Sequence, residues 1–515
     1  MSTKPTSIEI VSRPIGGGRL AQAALAGELA QWYDALPRGD AAWRAAAEHV
    51  IGDRDDAWKS RLAPAFDARG RAGARLESAD VVVTTGQQPG LFGGPLYTLY
   101  KALTARAIAD VLAQRTGLRV APVFWAATDD SDYAEANHVS VIAHGELRRL
   151  DAGPPSAAEG TSMSRVPLGD VDAAIETLAS ACGSAPNADA LRAARDAYAP
   201  GHTVGGAYVA LLRDLLESVG IAVLDAAHPA VRQAAAPTLR RALERAHGVS
   251  DAIAARSSDI ERAGFESQVA HVPDLALVFR SDASGLRRRI TIAEAAAAAS
   301  DARDDELSPN VLLRPVVERQ ILPTVAYIAG PGEIAYFAQV SAVADALGLA
   351  RPRAVPRWGG VVIDPPVREA LDRQQLTIDD LRDPHAAERL VARRGLAPDV
   401  RDALTRLRES LRSEAEVLDA LVAHDESLRR SVGSMRATAE FRVERLERRL
   451  AAARKRSGSP DLRDVRLAQA SVYPDGAPQE RVLSFIPFMA RYGDEFTKGI
   501  QAATALHADE LIRGG

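Results

Sequence analysis

Val81-Val-Val-Thr-Thr-Gly-Gln-Gln-Pro-Gly-Leu-Phe-Gly-Gly-Pro-Leu-Tyr-Thr-Leu-Tyr-Lys101 is the stretch on which the reading of the fold turns. Its three opening β-branched residues read as the end of a buried strand. Gly86, Pro89, Gly90, Gly93 and Gly94 then form a loop, and Pro95 suits the first turn of a helix over 96–113. Strand, glycine-rich loop and helix in this order aim backbone N–H groups and a helix N-terminus at an anion. Gln87 and Gln88 fall on an exposed turn. The glycine spacing is neither G-x-G-x-x-G nor G-x-x-x-x-G-K-[ST], so neither nucleotide fingerprint applies.

Working outward, 118–127 reads as a second buried strand that runs into the polar cluster Thr128-Asp-Asp-Ser-Asp-Tyr-Ala-Glu-Ala-Asn-His138. A hairpin is expected over 139–142 and 146–150. A helix at 207–218 leads into a strand at 221–225. Alternation over 271–279 and 287–292 suggests strands of a smaller inserted element. Segments 310–317 and 324–328 bracket a loop-helix region that runs into Gly330-Pro-Gly, a turn that opens another helix, and 353–358 and 361–363 look like late strands. Strands separated by helices predict an α/β doubly wound core.

The pattern changes after about residue 368. Leu404, Leu407, Leu411, Leu418, Leu421 and Leu428 recur at 3/4 spacing, and Val443, Leu446, Leu450 and Ala453 repeat it. This predicts an antiparallel coiled-coil hairpin that turns near Ser431-Val-Gly433 and ends at Ser457-Gly-Ser-Pro460. The expected organisation is a core over 1–390 with inserts at about 153–206 and 229–305. The hairpin follows over 391–460, and 461–515 packs back on the core. Within that last part, Gln479-Glu-Arg-Val-Leu-Ser-Phe-Ile-Pro-Phe488 is apolar enough to require a packing partner.

Composition narrows the function. The 515 residues are 47% hydrophobic and 25% charged, with a formal net charge of −5, which gives no support for nucleic-acid binding. A single cysteine, Cys182, rules out an intrachain disulfide and a Cys-rich zinc site. The amino-terminal residues lack a signal-peptide core, and no apolar run reaches membrane-spanning length. A cytoplasmic enzyme or scaffold is expected, with no membrane and no nucleic acid among its partners.

Asp129, Asp130, Asp132, Glu135 and His138 form the densest set of acid, base or metal groups, beyond a strand's carboxyl end and close to Trp125. Helix capping accounts for one or two of them, and the spacing matches no metal motif. Gln87 and Gln88 suit hydrogen bonding to substrate or phosphate, or to their own loop. Lys101, four residues after Tyr97, shares its helix face and suits phosphate neutralisation, or simple solvation. Glu333 suits a general base or a ribose or ammonium ligand, or merely a helix start; Tyr336 and Gln339 follow it. Arg314 and Arg357 sit beside prolines, suited to fixed carboxylate or phosphate recognition and equally to surface ion pairs.

These stretches together resemble the bacillithiol-biosynthesis cysteine-adding enzymes, a family of cysteine ligases. The motifs that carry the resemblance start with Thr85-Gly-Gln-Gln-Pro-Gly-Leu, Gly94-Pro-Leu-Tyr-Thr-Leu-Tyr-Lys101, Pro122-Val-Phe-Trp125, Asp130-x-Asp-Tyr and Asn137-His138. Arg314-Pro, Leu322-Pro-Thr-Val-Ala-Tyr327, Gly330-Pro-Gly-Glu-Ile-Ala-Tyr-Phe-Ala-Gln339 and Gln479-Glu-Arg-Val-Leu-x-x-x-Pro-Phe488 follow in the family's order. The resemblance implies a Rossmann-like core, a long coiled coil and a homodimer formed through it. It also implies the joining of L-cysteine to glucosaminyl malate through an amide bond. ATP is the expected activator, giving ADP or AMP, with Mg²⁺ as its companion ion. Asp130, Asp132, His138 and Glu333 are the expected catalytic residues. Binding is expected from Gly86, Gln87, Gln88, Gly94, Tyr97, Lys101, Trp125 and Asn137, and from Arg314, Tyr327, Gly330, Gly332, Tyr336, Gln339 and Arg357. One departure stands out: the family usually reads Glu-Asp-His-Asp where this chain has Asp129-Asp-Ser-Asp132. Two other readings stay open, a ligase for a different amino sugar or thiol and a non-catalytic nucleotide-binding dimer scaffold.

Overall fold

A computed structural model describes residues 7–455 and 460–514. The chain divides into two compact units. The larger comprises Ile10–His144, Arg148–Val361 and Glu480–Gly515; the other consists chiefly of Val362–Gln479.

The larger unit is built on five parallel strands: β1 (Val81–Gln87), β2 (Val120–Ala126), β3 (Ala222–Asp225), β4 (Thr324–Ala329) and β5 (Ala354–Pro356). Their order across the sheet is β5-β4-β1-β2-β3, the doubly wound arrangement expected from alternating strands and helices. β1 and β2 run in unbroken register from Val81↔Val120 to Gln87↔Ala126. Nearly every residue of both is buried, as a parallel sheet covered on two faces requires. On one face Val81, Val83, Val325 and Ile328 pack with Ile108 and Leu112 of helix α1 (Leu96–Thr116) and with Trp43. On the other, Val82, Trp125 and Leu224 meet Trp58, Leu62 and Phe66. Helices α2 (Arg314–Ile321) and α3 (Pro331–Leu347) flank β4 in sequence.

The inserted element is an antiparallel three-stranded sheet of Leu275–Ser281, Arg287–Thr291 and Leu307–Pro309. The strands expected near 139–150 are present as His138–Ala143 and Glu146–Asp151. The last helix of the larger unit, Ile486–Arg513, packs along α1.

In the smaller unit, α4 (Pro398–Leu421) and α5 (Glu426–Lys455) form the hairpin, with Leu404, Leu411, Val443 and Leu450 in its seam. The turn falls at 422–425, earlier than the Ser431-Val-Gly433 expected. Asp425 accepts hydrogen bonds from the N–H groups of Ser427 (2.9 Å) and Leu428 (3.1 Å) and so starts the second helix itself. Gly433 lies inside α5, where an open environment tolerates it. Of the expected break at Ser457-Gly-Ser-Pro460, 457–459 lie outside the described residues; Pro460 opens a further helix, Pro460–Val472.

Candidate active site

Chain order reverses between β1 and β4, and a cavity of about 680 Å³ lies off the carboxyl ends of these strands, where open α/β sheets hold ligands. β1 contributes Gly86 and Gln87, α1 contributes Tyr97 and Lys101, and the turn after β2 contributes Asp129, Asp130, Ser131 and Glu135. The turn after β4 supplies Gly330, Gly332 and Glu333, and α3 adds Tyr336. Arg314 arrives from α2, Arg357 from just beyond β5. The opposite wall is Phe279, Arg287, Arg289 and Asn310 of the inserted sheet and its border, with Arg481 from the carboxyl-terminal segment.

A buried ion pair forms the floor. Lys101, 2 % exposed, places Nζ 2.7 Å from Glu333 Oε2 and also donates to the Gly86 carbonyl and to Gln87 Oε1 (3.3 Å). Glu333 accepts further bonds from the Tyr327 hydroxyl (2.5 Å) and the Gly330 N–H (2.7 Å), the latter closing the start of α3 from within. Burial alone would raise the Glu333 carboxyl. The Lys101 charge, the bonds from Lys101 and Tyr327, and Arg314 together outweigh it and hold the group below the ordinary carboxylate range. Burial pushes the Lys101 ammonium down, offset in part by Glu333. Arg314 is fixed by Glu318 (2.9 Å) beneath it and donates to the Tyr327 hydroxyl (2.9 Å). Arg357 is locked in a buried pair with Glu480, two guanidinium nitrogens against two carboxylate oxygens.

The acidic side behaves differently. Asp130 accepts from the N–H of Ser131 (2.6 Å) and lies 3.9 Å from Arg287. Burial nevertheless raises its carboxyl, with Arg287 opposing and Asp129 reinforcing the shift. Glu135 is raised by burial and then by Asp132 and Asp130, while Gln88 and Arg481 act against it. Facing them, Arg287 stacks on Phe279 at 4.2 Å, and Arg289 Nε has no hydrogen-bond partner among the described residues. The cavity therefore has one anionic wall and one cationic wall.

The structure gathers Gly86, Gln87, Gln88, Tyr97, Lys101, Asp130, Arg314, Gly330, Gly332, Glu333, Tyr336 and Arg357 around this cavity. It leaves seven expected residues outside its lining. Asp132 caps the short helix Tyr133–Ala136 by accepting from the Glu135 N–H (3.1 Å). His138 Nδ1 lies 3.0 Å from both Ala134 O and Asn137 Oδ1, so these two side chains serve each other. Trp125 is core on β2, Tyr327 supports Glu333 from below, and Gln339 bonds the backbone of Val269 (2.8 and 3.1 Å). Gly94 belongs to a covered loop. There the anion-binding expectation fails: the Leu96 N–H donates to Leu483 O (2.9 Å), and those of Gly93 and Gly94 to Gly90 and Leu91 (3.0 Å each). Arg287, Arg289 and Arg481 were not anticipated. Arg287 and Arg289 share one face of a strand, a two-residue spacing that the sequence displays.

Two family models cover most of the chain: the bacillithiol biosynthesis BshC N-terminal Rossmann-like domain over residues 72–358, and the BshC C-terminal coiled-coil domain over 360–509. Several relatives bear the name "Putative cysteine ligase BshC". The one from Solibacter usitatus is 34% identical over 440 residues, and that from Koribacter versatilis 32% over 447; each alignment covers 81% of both chains. The one from Symbiobacterium thermophilum is 28% identical over 524 aligned positions, 92% of this chain and 94% of the relative.

Proposed function

The chain belongs to the bacillithiol biosynthesis BshC family, and from that premise we propose that it is a ligase joining L-cysteine to glucosaminyl malate through an amide bond, with ATP as activator. The division of the cavity by charge carries this reading. Asp129, Asp130 and Glu135 face an ammonium group; Arg287, Arg289, Arg314 and Arg481 face carboxylate and phosphate oxygens.

A carboxylate does not acylate an amine while its leaving group is oxide. ATP converts that oxygen into a phosphoryl or nucleotidyl ester, which leaves readily. The amine nitrogen then bonds to the carbonyl carbon, the C–O bond to the phosphorus-bearing group breaks, and the amine's proton needs an acceptor. Ser131 lines the cavity where the family usually has histidine, and no histidine lines it among the described residues. The acceptor role falls to Asp130 or Glu135, whose raised carboxyls are stronger bases than exposed ones. The Lys101–Glu333 pair and Tyr336 orient the substrate, and the arginine wall stabilises charge that develops on oxygen. Because the α1 N-terminus is covered, side chains rather than that loop hold the phosphates. No group of three or more His, Cys, Asp or Glu side chains poised for a metal occurs among the described residues, so Mg²⁺ enters this reading only with the nucleotide. A homodimer through the hairpin completes it, supported by Leu421 and Phe441, 68 % and 55 % exposed; sedimentation analysis of the purified chain tests that part.

Incubation of the protein with ATP, L-cysteine and glucosaminyl malate, read by mass spectrometry for thiol and nucleotide products, tests the reaction. Formation of the amide together with ADP or AMP is expected; neither product appearing would sink the proposal.

A further inference from the structure

A second cavity, of about 250 Å³, opens at the amino-terminal end of the strands, where Pro323 precedes β4. Arg319, near the end of α2, lines it together with Arg54, Trp58 and Leu349. Arg319 is 7 % exposed, yet among the described residues it makes no hydrogen bond and no ion pair within 4.0 Å. A guanidinium this little exposed ordinarily pairs, and this one meets water in place of a protein partner. Burial pushes it down from its ordinary value, with Asp53 the largest opposing influence.

The neighbouring carboxylates, of which Asp53 and Asp55 line the same cavity, compensate Arg319 only in part. Asp55 is engaged by Arg61 and by the Ala57 N–H (2.9 Å), and Asp53 lies 3.3 Å from His49. Arg353, which adds positive potential, is itself held by Asp34 at 2.7 Å. Arg54 donates through Nη1 to the Asp80 carbonyl (2.8 Å) and through Nε to the exposed Asp56 (3.1 Å). Its Nη2 remains available beside the same cavity.

We propose that this cavity binds a small dianionic oxyanion, of the class of inorganic phosphate and short phosphate monoesters, between Arg319 and Arg54. The Arg319 guanidinium fork and the free Arg54 Nη2 supply the positive charge and the N–H donors that such a group takes. The inference is independent of the ligase reading. It also has a structural corollary: α2 carries Arg314 at its first residue and Arg319 near its last, so a ligand that fixes one end of this helix steadies the element that places Arg314 in the main cavity.

The test is the thermal midpoint of the full chain against inorganic phosphate, glycerol 3-phosphate and malonate, with chloride at matched ionic strength as reference. A saturable rise with both phosphates, larger than with malonate, is expected. It should vanish in Arg319→Gln and persist in Arg287→Gln, a change in the main cavity. If Arg319→Gln does not fold, Arg54→Gln decides the matter by weakening the phosphate response about tenfold, the loss of a charge-assisted bond. No rise beyond chloride overturns the proposal. So does a rise that survives Arg319→Gln or, where that variant does not fold, one that Arg54→Gln leaves undiminished. A rise abolished by Arg287→Gln, or a malonate response as strong as phosphate, overturns it as well.

Discussion

The segments 81–101 and 324–347 carry the same local grammar. Each is a buried strand of the central sheet, then a glycine turn, then a helix. Only the second turn opens on the cavity with its helix start; the first reaches it through Gln88 alone. In the first, Leu483 accepts the opening N–H of α1, the Phe485 ring sits against Gly93, and the Tyr198 hydroxyl donates to the Gly90 carbonyl (3.1 Å). In the second, Glu333 closes the first N–H from within and keeps its other oxygen for Tyr327. A helix N-terminus is thus a ligand site only if no distant part of the chain has already covered it. What the first segment contributes to the cavity is its strand end with Gln88 and two side chains of its helix, Tyr97 and Lys101, the latter bonded across to the second segment.

The contrast can be broken most sharply at that bond. Glu333→Ala leaves the Lys101 ammonium buried and unpaired. It should lower unfolding free energy by about 3–5 kcal/mol in urea denaturation; a double variant with Lys101→Met should recover part of it. A loss under about 1 kcal/mol would mean the two segments are not joined there.

Next is the acidic wall that both segments face. Asp130→Asn should lower kcat/KM for the proposed ligation by about 10²–10⁴-fold while the thermal midpoint changes little. The wild-type rate should rise with pH across a range above that of ordinary carboxylates, as Asp130 and Glu135 lose protons. Their folded values are raised, so their contribution to stability falls as pH rises through that window. Glu333 has the opposite sign: its depressed value gives stability above the unfolded carboxylate range that is lost as pH falls through the folded value.

The two glycine turns themselves give the smaller effects. Gly93 has φ +85°, and a Cβ there would sit 2.6 Å from Phe485 Cζ, so Gly93→Ala should cost about 1–3 kcal/mol in the same denaturation assay. At Gly332 a Cβ would meet nothing within 4 Å. Gly332→Ala should stay within about 0.5 kcal/mol of wild type, the ordinary range for open positions. Equal costs at the two sites would erase the distinction between a covered and an open turn.

The parallel strands are legible because a sheet buried on both faces demands apolar runs such as Val81-Val-Val and Val123-Phe-Trp125. Their carboxyl ends then locate Asp130 and Glu333 without further information. The hairpin is legible from its leucine spacing. Its turn is not, because Asp425 caps α5 by a bond that spacing does not encode. The cationic wall is harder still, since Arg287 and Arg289 sit on an inserted sheet and Arg481 beyond the hairpin. Their convergence depends on packing over long sequence separation. Asp132 and His138 look catalytic from their company, yet local hydrogen bonds to Glu135 and Asn137 occupy them.

The segment from Glu480 to Phe485 also sets an order of events during synthesis. Glu480 neutralises Arg357, Leu483 caps α1 and Phe485 fills the space beside Gly93, but all three leave the ribosome long after the strands they complete. At about 5–20 residues per second, the first glycine turn waits tens of seconds for its cover. For that interval the α1 N-terminus and the Arg357 guanidinium are accessible in a way the finished protein never repeats. A nascent chain halted before residue 480 should therefore be open to proteases at 90–95, where the completed one is shielded.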